Sequence, residues 1–181
     1  MMKKTLLAII LAGFSTTAMA QWGAGVHYIG IMSNDSGPDV SLNGIQGSLS
    51  YRFDVGEGFD IIPELRYATG VGEDDVSVPS PIPGQVQTID IELEAAFGLA
   101  VRAQYEWDNG FIIYGEPTYT RIDSKGTTSI LGNNLSVDSD DWKLGIGAGV
   151  GYRLTDSLVV DFSYNRSNDV DIANIGLRFD F

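Results

Sequence analysis

The chain has 181 residues, with 24 Asp and Glu against 11 Lys and Arg, 22 Gly and no Cys. A formal net charge of −13 argues against nucleic acid as a partner, because phosphate recognition needs a basic surface. The missing cysteines exclude disulfides, a thiolate nucleophile and Cys-ligated metal.

Residues 1–20 read as a secretory signal peptide. Lys3 and Lys4 form a positive start, Leu6 to Phe14 an apolar stretch, and Ala18-Met19-Ala20 a small-x-small cleavage site. The stretch is too short to span a bilayer as a helix, which needs about 20 residues. Gln21, not Cys, follows the site, so no lipid anchor is indicated. The expected organisation is a cleaved signal peptide over 1–20 and one β-barrel domain over 21–181.

Past the signal no long apolar run occurs, and the hydrophobic pattern has period two. It predicts eight strands at about Trp22–Met32, Asn43–Asp54, Phe59–Thr69, Thr88–Glu106, Phe111–Ile122, Asp141–Leu154, Leu158–Arg166 and Val170–Phe181. In the second strand Ile45, Gly47, Leu49, Tyr51 and Phe53 share one face, and Gln46, Ser48, Ser50, Arg52 and Asp54 the other. The fourth alternates in the same way. The sixth sets Trp142, Leu144, Ile146, Ala148, Val150 and Tyr152 against Lys143, Gly145, Gly147, Gly149, Gly151 and Arg153.

The connections alternate in length. Val55–Gly58, Trp107–Gly110 and Thr155–Ser157 are tight turns rich in Gly, Asn and Asp. The intervening ones, 33–42, 70–87 and 123–140, are longer and polar, with a short fourth at 167–169. Short inner turns and longer outer loops are the habit of membrane barrels. With the short turns at one rim, Trp22, Phe53, Phe59, Tyr105, Trp107, Phe111, Tyr152, Phe179 and Phe181 gather there. Tyr28, Tyr67, Tyr119, Trp142 and Tyr164 lie toward the other. Two aromatic girdles suit the two membrane interfaces.

The chain ends Asn174-Ile175-Gly176-Leu177-Arg178-Phe179-Asp180-Phe181. With its final aromatic, this resembles the closing strand that the barrel-assembly machinery reads, so Gly176, Phe179 and Phe181 are candidate assembly-signal residues. The chain after residue 20 resembles the small eight-stranded outer-membrane proteins of the OmpA/OmpX/opacity-protein type. That resemblance implies an all-β, eight-stranded antiparallel transmembrane up-and-down β-barrel in a Gram-negative outer membrane. It also implies contact with membrane lipid and lipopolysaccharide, and engagement of the assembly machinery during biogenesis. It brings no catalytic motif, cofactor or metal.

Alternation places Arg52, Asp54, Glu64, Arg66, Glu92, Glu94, Arg102, Glu116, Lys143, Arg153, Asp161, Arg178 and Asp180 in the lumen. Buried charges need partners and eight-stranded barrels have room for little more than side chains. A salt-bridged plug is therefore expected, in preference to an ion pathway. The glycines of the sixth strand are expected to make room for long Arg and Glu side chains. His27, the single histidine, falls on the lumen face. It lacks the His-x-Ser pattern of lipid A-modifying barrels and reads as a polar packing residue. Glu73-Asp74-Asp75, Asp138, Asp140, Asp141, Asp169 and Asp171 read as solvated loop acids without Ca²⁺-loop spacing. Pro117 inside a strand predicts a local bulge or kink.

The function this supports is a non-enzymatic structural or surface-interaction protein with a largely plugged lumen. Its external loop partner is unspecified. The alternatives are a narrow-conductance porin, a lipid A-modifying enzyme and a soluble lipocalin-type barrel.

Overall fold

The computed structural model describes residues 21–33, 41–79, 86–130, 133–167 and 170–181; the proposed signal peptide lies outside them. The strands are β1 (Trp22–Ser33), β2 (Ser41–Tyr51), β3 (Phe53–Gly56), β4 (Phe59–Gly70), β5 (Glu73–Pro79), β6 (Val86–Glu106), β7 (Phe111–Ile130), β8 (Asn133–Thr155), β9 (Leu158–Ser167) and β10 (Val170–Asp180). Neighbours pair antiparallel, and β4 pairs with both β2 and β6, so the sheet closes on itself. β2 and β3 together form one stave and β5 lies outside the ring, leaving a closed barrel of eight. The seam between the chain's two ends runs from Gly23↔Asp180 to Ser33↔Val170. Closure matters because an open edge in lipid leaves backbone groups unpaired at several kcal/mol each.

Alternation sets the two surfaces. On β7, Phe111, Ile113, Gly115, Pro117 and Tyr119 point outward, while Ile112, Tyr114, Glu116 and Thr118 are buried. The outer wall is apolar between two aromatic bands. At the short-turn rim Trp22 packs on Tyr51 and Tyr105 on Trp107, with centroids 5.0 and 4.8 Å apart. At the other rim Tyr119 stacks on Trp142 at 4.6 Å, and Phe97 meets Trp142 edge-on. Gly56, Glu57 and Gly58 all have positive φ, which only glycine adopts freely. That geometry turns β3 into β4 within three residues.

The structure changes three readings. Two of the long polar connections are largely strand. β5 pairs with the start of β6 from Glu73↔Glu92 to Pro79↔Val86, and β7 and β8 stay paired to Ile130↔Asn133. Polar and small residues dominate these extensions, so no regular apolar alternation marks them. Second, a bulge lies between Leu93 and Ala95 and reverses the faces of β6 above it. Leu93 turns inward, 4% exposed, and Glu94 turns outward. Third, Asp171 is not a solvated loop acid; it is buried within β10 beside Arg166.

Two prolines account for the gaps in the ladder. The β6–β7 bridges lapse between Ala100↔Thr118 and Ala103↔Gly115 without a change of register. Opposite Val101 stands Pro117, which has no N–H to give to the Val101 carbonyl. The β2–β4 ladder lapses in the same way after Ser50↔Glu64, where Pro63 faces Tyr51, and resumes at Phe53↔Ile61. That interruption separates β2 from β3. Pro117 therefore costs a hydrogen bond without causing a bulge. Pro117→Val should restore it, adding about 1 kcal/mol to the unfolding free energy and raising the urea midpoint of the folded barrel. Equilibrium unfolding in detergent checks this, and an unchanged midpoint would count against the missing bond.

Candidate functional site

The lumen is built in two tiers. In the lower one, toward the short turns, charges interlock. Arg66 on β4 donates to Glu64 on its own strand and to Glu116 on β7, at 2.6 Å to the latter. Arg102 on β6 reaches Asp161 on β9 at 3.1 Å, Glu64 at 3.5 Å and Glu116 at 3.7 Å, and its guanidinium lies 3.8 Å above the Tyr114 ring. Arg178 donates to Gln104 and to Asp180. Nearer the mouth Arg153 bonds Glu106 at 2.5 Å and Asp180 at 3.1 Å, and Arg52 bonds Asp180 at 2.5 Å. Arg102 and Glu116 are 2% and 1% exposed. Ions so far from water depend on one another, since desolvation of each costs several kcal/mol. Below this floor the barrel opens into a polar vestibule lined by Arg52, Asp60, Glu106, Arg153 and the three turns.

Asp60, Gln104, Glu106 and Tyr114 also belong to this tier. Strand parity is the signal that marks them in the sequence. The β8 glycines make room, but not for Arg or Glu. A Cβ at Gly149 would strike the Tyr114 ring, and one at Gly147 the Asn165 amide. The vacancy at Gly149 is filled by Tyr114, on which Arg102 rests.

His27 Nε2 lies 3.2 Å from Asp161 Oδ1. The ring fits because its own strand and the neighbouring β10 carry glycine: a Cβ on Gly25 would be 2.7 Å from His27 Cε1, and one on Gly176 2.5 Å from Cδ2. The position of a Gly25 Cβ is also 2.5 Å from Ser48 Oγ. Ser48 Oγ and the His27 ring thus both border the space above Gly25, and Asp161 lies at the ring's Nε2. Ser48 is near His27 only through strand pairing, so no sequence spacing could show it. Among the described residues neither His27 Nδ1 nor Ser48 Oγ has a hydrogen-bond partner, and both atoms are buried.

The upper tier is apolar. Ile29, Ile31, Leu42, Ala68, Leu93 and Ala96 form a cluster inside the barrel, with Ile91, Ile122, Val170 and Ile172 packed on it. Glu92 and Glu94 are therefore corrected: they lie at and above the bulge, outside the lower network. Glu94 is on the outer surface 3.9 Å from Lys125. Lys143 is also outside that network, at the upper mouth beside Thr118 and Thr120.

Beyond the barrel β5, β6, β7 and β8 continue as a four-stranded sheet. Among the described residues β8 pairs with β9 only between Gly145 and Thr155. From Asn133 to Leu144 the side of β8 away from β7 has no strand paired to it among the described residues. At the other end of the chain Phe179 and Phe181 point outward at the short-turn rim, each 52% exposed. Phe181 and Trp22 exchange backbone hydrogen bonds of 2.7 and 3.2 Å, and so finish the seam.

Comparison with known proteins agrees with this architecture. A model of the outer membrane protein beta-barrel domain matches residues 6–180. The chain belongs to this family. It is an outer-membrane protein of the Gram-negative type, and its apolar wall faces membrane lipid. Similar solved structures include Ail, the attachment invasion locus protein of Yersinia pestis, in complex with the heparin analogue sucrose octasulfate. Ail is 14% identical, with 91% of this chain and 100% of Ail covered and a TM-score of 0.59. OprG from Pseudomonas aeruginosa is 14% identical, with 90% and 96% covered and a TM-score of 0.55. Neisserial surface protein A is 13% identical, with 88% and 97% covered and a TM-score of 0.54. At these identities the likeness is one of fold. A comparison with curated proteins found no match.

Proposed function

We propose that this is a non-enzymatic surface-interaction barrel. Its lumen is plugged by the lower charge network, and it binds partners through the outward sheet formed by β5 to β8. The observation that carries this reading is the edge of β8 that no described strand pairs. An unpaired edge is a template for a further strand, and strand addition is a common mode of peptide recognition. The opposite edge, β5, ends in Pro79 and leads into Pro81 and Pro83, residues that discourage pairing. The β8 edge carries Asp138, Asp140 and Asp141 in its sequence, so it suits an extended segment with basic side chains. A polyanion of the kind bound to Ail would suit this edge poorly. The burial of His27 and its contact with Asp161 support a packing role for this histidine.

The ladder identifies the outward N–H groups. Pro117 faces β6, so odd-numbered residues of β8 bond to β7 and even-numbered ones turn away from it. Ser136→Pro should therefore block strand addition while leaving the β7–β8 ladder intact. Displayed random decapeptides selected on the barrel in nanodiscs should lose binding to Ser136→Pro and keep it with Ser136→Ala. Equal binding to both variants would remove the edge as the site.

The same reading includes removal of residues 1–20 on export. It also takes Gly176, Phe179 and Phe181 as the segment read by the assembly machinery. A second reading, a narrow porin, is favoured by the open vestibule. Single-channel recording separates the two, since a plugged lumen gives no ohmic conductance on the general-porin scale.

A further inference from the structure

The basic residues are few, and their placement is uneven. Of the chain's 11 Lys and Arg, Lys3 and Lys4 belong to the first 20 residues. Arg52, Arg66, Arg102, Arg153 and Arg178 join the lumen network. The other four are Arg121, Lys125, Lys143 and Arg166. All four lie on the adjacent strands β7, β8 and β9 at their outer ends. Arg121, Lys125 and Arg166 are on the outer surface. The outer wall of β10, β1, β2 and β4 carries no cation at that height, although the protein as a whole is strongly acidic.

Below these cations lies a matching apolar bed. Arg121 sits in register between Phe97 and Trp142, and the stacked pair Tyr119–Trp142 lies against it. Next along β8 come Leu144 and Ile146, 74% and 72% exposed, the highest values of any large apolar side chain described. Arg166 stands opposite Ile146 and is itself 68% exposed along its side chain. Acids accompany the cations: Asp123 is 2.8 Å from Arg121, Glu94 3.9 Å from Lys125 and Asp171 3.8 Å from Arg166. The Arg121–Asp123 and Lys125–Glu94 pairs are exposed on both sides and contribute little to stability, so folding gives little reason to gather these cations in one sector.

We infer that the outer end of β7–β9 is a binding site for a phosphorylated, multiply acylated glycolipid of the outer leaflet, the lipid A class. Arg121 and Arg166 take the phosphates, and acyl chains lie over Trp142, Leu144 and Ile146. Guanidinium groups match phosphate oxygens in pairs, aromatic side chains favour the interface, and cations at a membrane surface attract anionic headgroups. This inference is independent of the strand-edge reading, since it uses a different face.

The test is native mass spectrometry of the purified barrel in detergent, titrated with bisphosphorylated lipid A. The double variant Arg121→Gln/Arg166→Gln should bind it roughly tenfold more weakly or worse, while remaining fully folded by heat-modifiable gel shift. Dephosphorylated lipid A should bind wild type and double variant alike. Asp123→Asn, which removes a competing carboxylate without touching a cation, should tighten binding. Inorganic phosphate at millimolar concentration should not compete. Four results would overturn the site. They are equal lipid A binding by the double variant, equal loss with dephosphorylated lipid, weaker binding in Asp123→Asn, and displacement by free phosphate.

Discussion

Arg102→Ala should unfold the purified barrel at a distinctly lower urea concentration than the unmodified protein. Arg102 faces Glu64, Glu116 and Asp161 and covers the Tyr114 ring. Its removal leaves buried carboxylates short of a counter-charge and a ring without its cover. Breaking a buried pair in this way costs about 3–5 kcal/mol. Arg166→Ala, whose exposed guanidinium lies 3.8 Å from a single carboxylate, Asp171, should cost distinctly less. The contrast is the informative quantity, because both changes remove one guanidinium from a strand. Arg66 remains beside Glu116 after the change and Arg178 beside Asp161. The lumen should therefore stay closed, and bilayer recordings of Arg102→Ala should show no porin-scale conductance. Equal midpoints for Arg102→Ala and Arg166→Ala would mean that the network does not hold the barrel.

Gly176→Ala and Phe181→Ala should fail in different settings, although both residues lie in the closing strand. A Cβ on Gly176 would press on the Val26 carbonyl and the His27 ring. The first of these is backbone, across the β1–β10 seam, and cannot swing aside. Gly176→Ala should reduce the folded fraction in cells and in detergent refolding alike. Phe181 has another position. Its backbone closes the seam with Trp22, but its ring projects outward at the rim. Phe181→Ala keeps both backbone bonds, so refolding in detergent should change little. Folded protein in the outer membrane should fall sharply if the ring is read during assembly. The heat-modifiable gel shift reports the folded fraction in both settings. Equal losses in cells and in detergent would make Phe181 a packing residue only.

Period-two alternation is local information, written into each strand by the requirement that one face meet lipid and the other the lumen. It placed the eight staves, the three tight turns and the aromatic bands within a few residues, and it put Arg102, Glu116 and Asp161 on the inside. In β5 and the outer ends of β7 and β8 polar and small residues dominate, no regular alternation appears, and the sequence reads as loop. One extra residue in β6 was also invisible. A bulge changes which face Glu94 occupies without changing any residue type, and only the pairing with β7 reveals it. Which side chains meet inside depends on register between strands far apart in the chain. The placing of Ser48 and Asp161 beside the His27 ring, the Tyr114 ring in the space left by Gly149, and the gathering of Arg121 and Arg166 on one sector all come from that register. Alternation sorts residues into inside and outside, while contact across a closed sheet is set by hydrogen-bond pairing, which no single strand encodes.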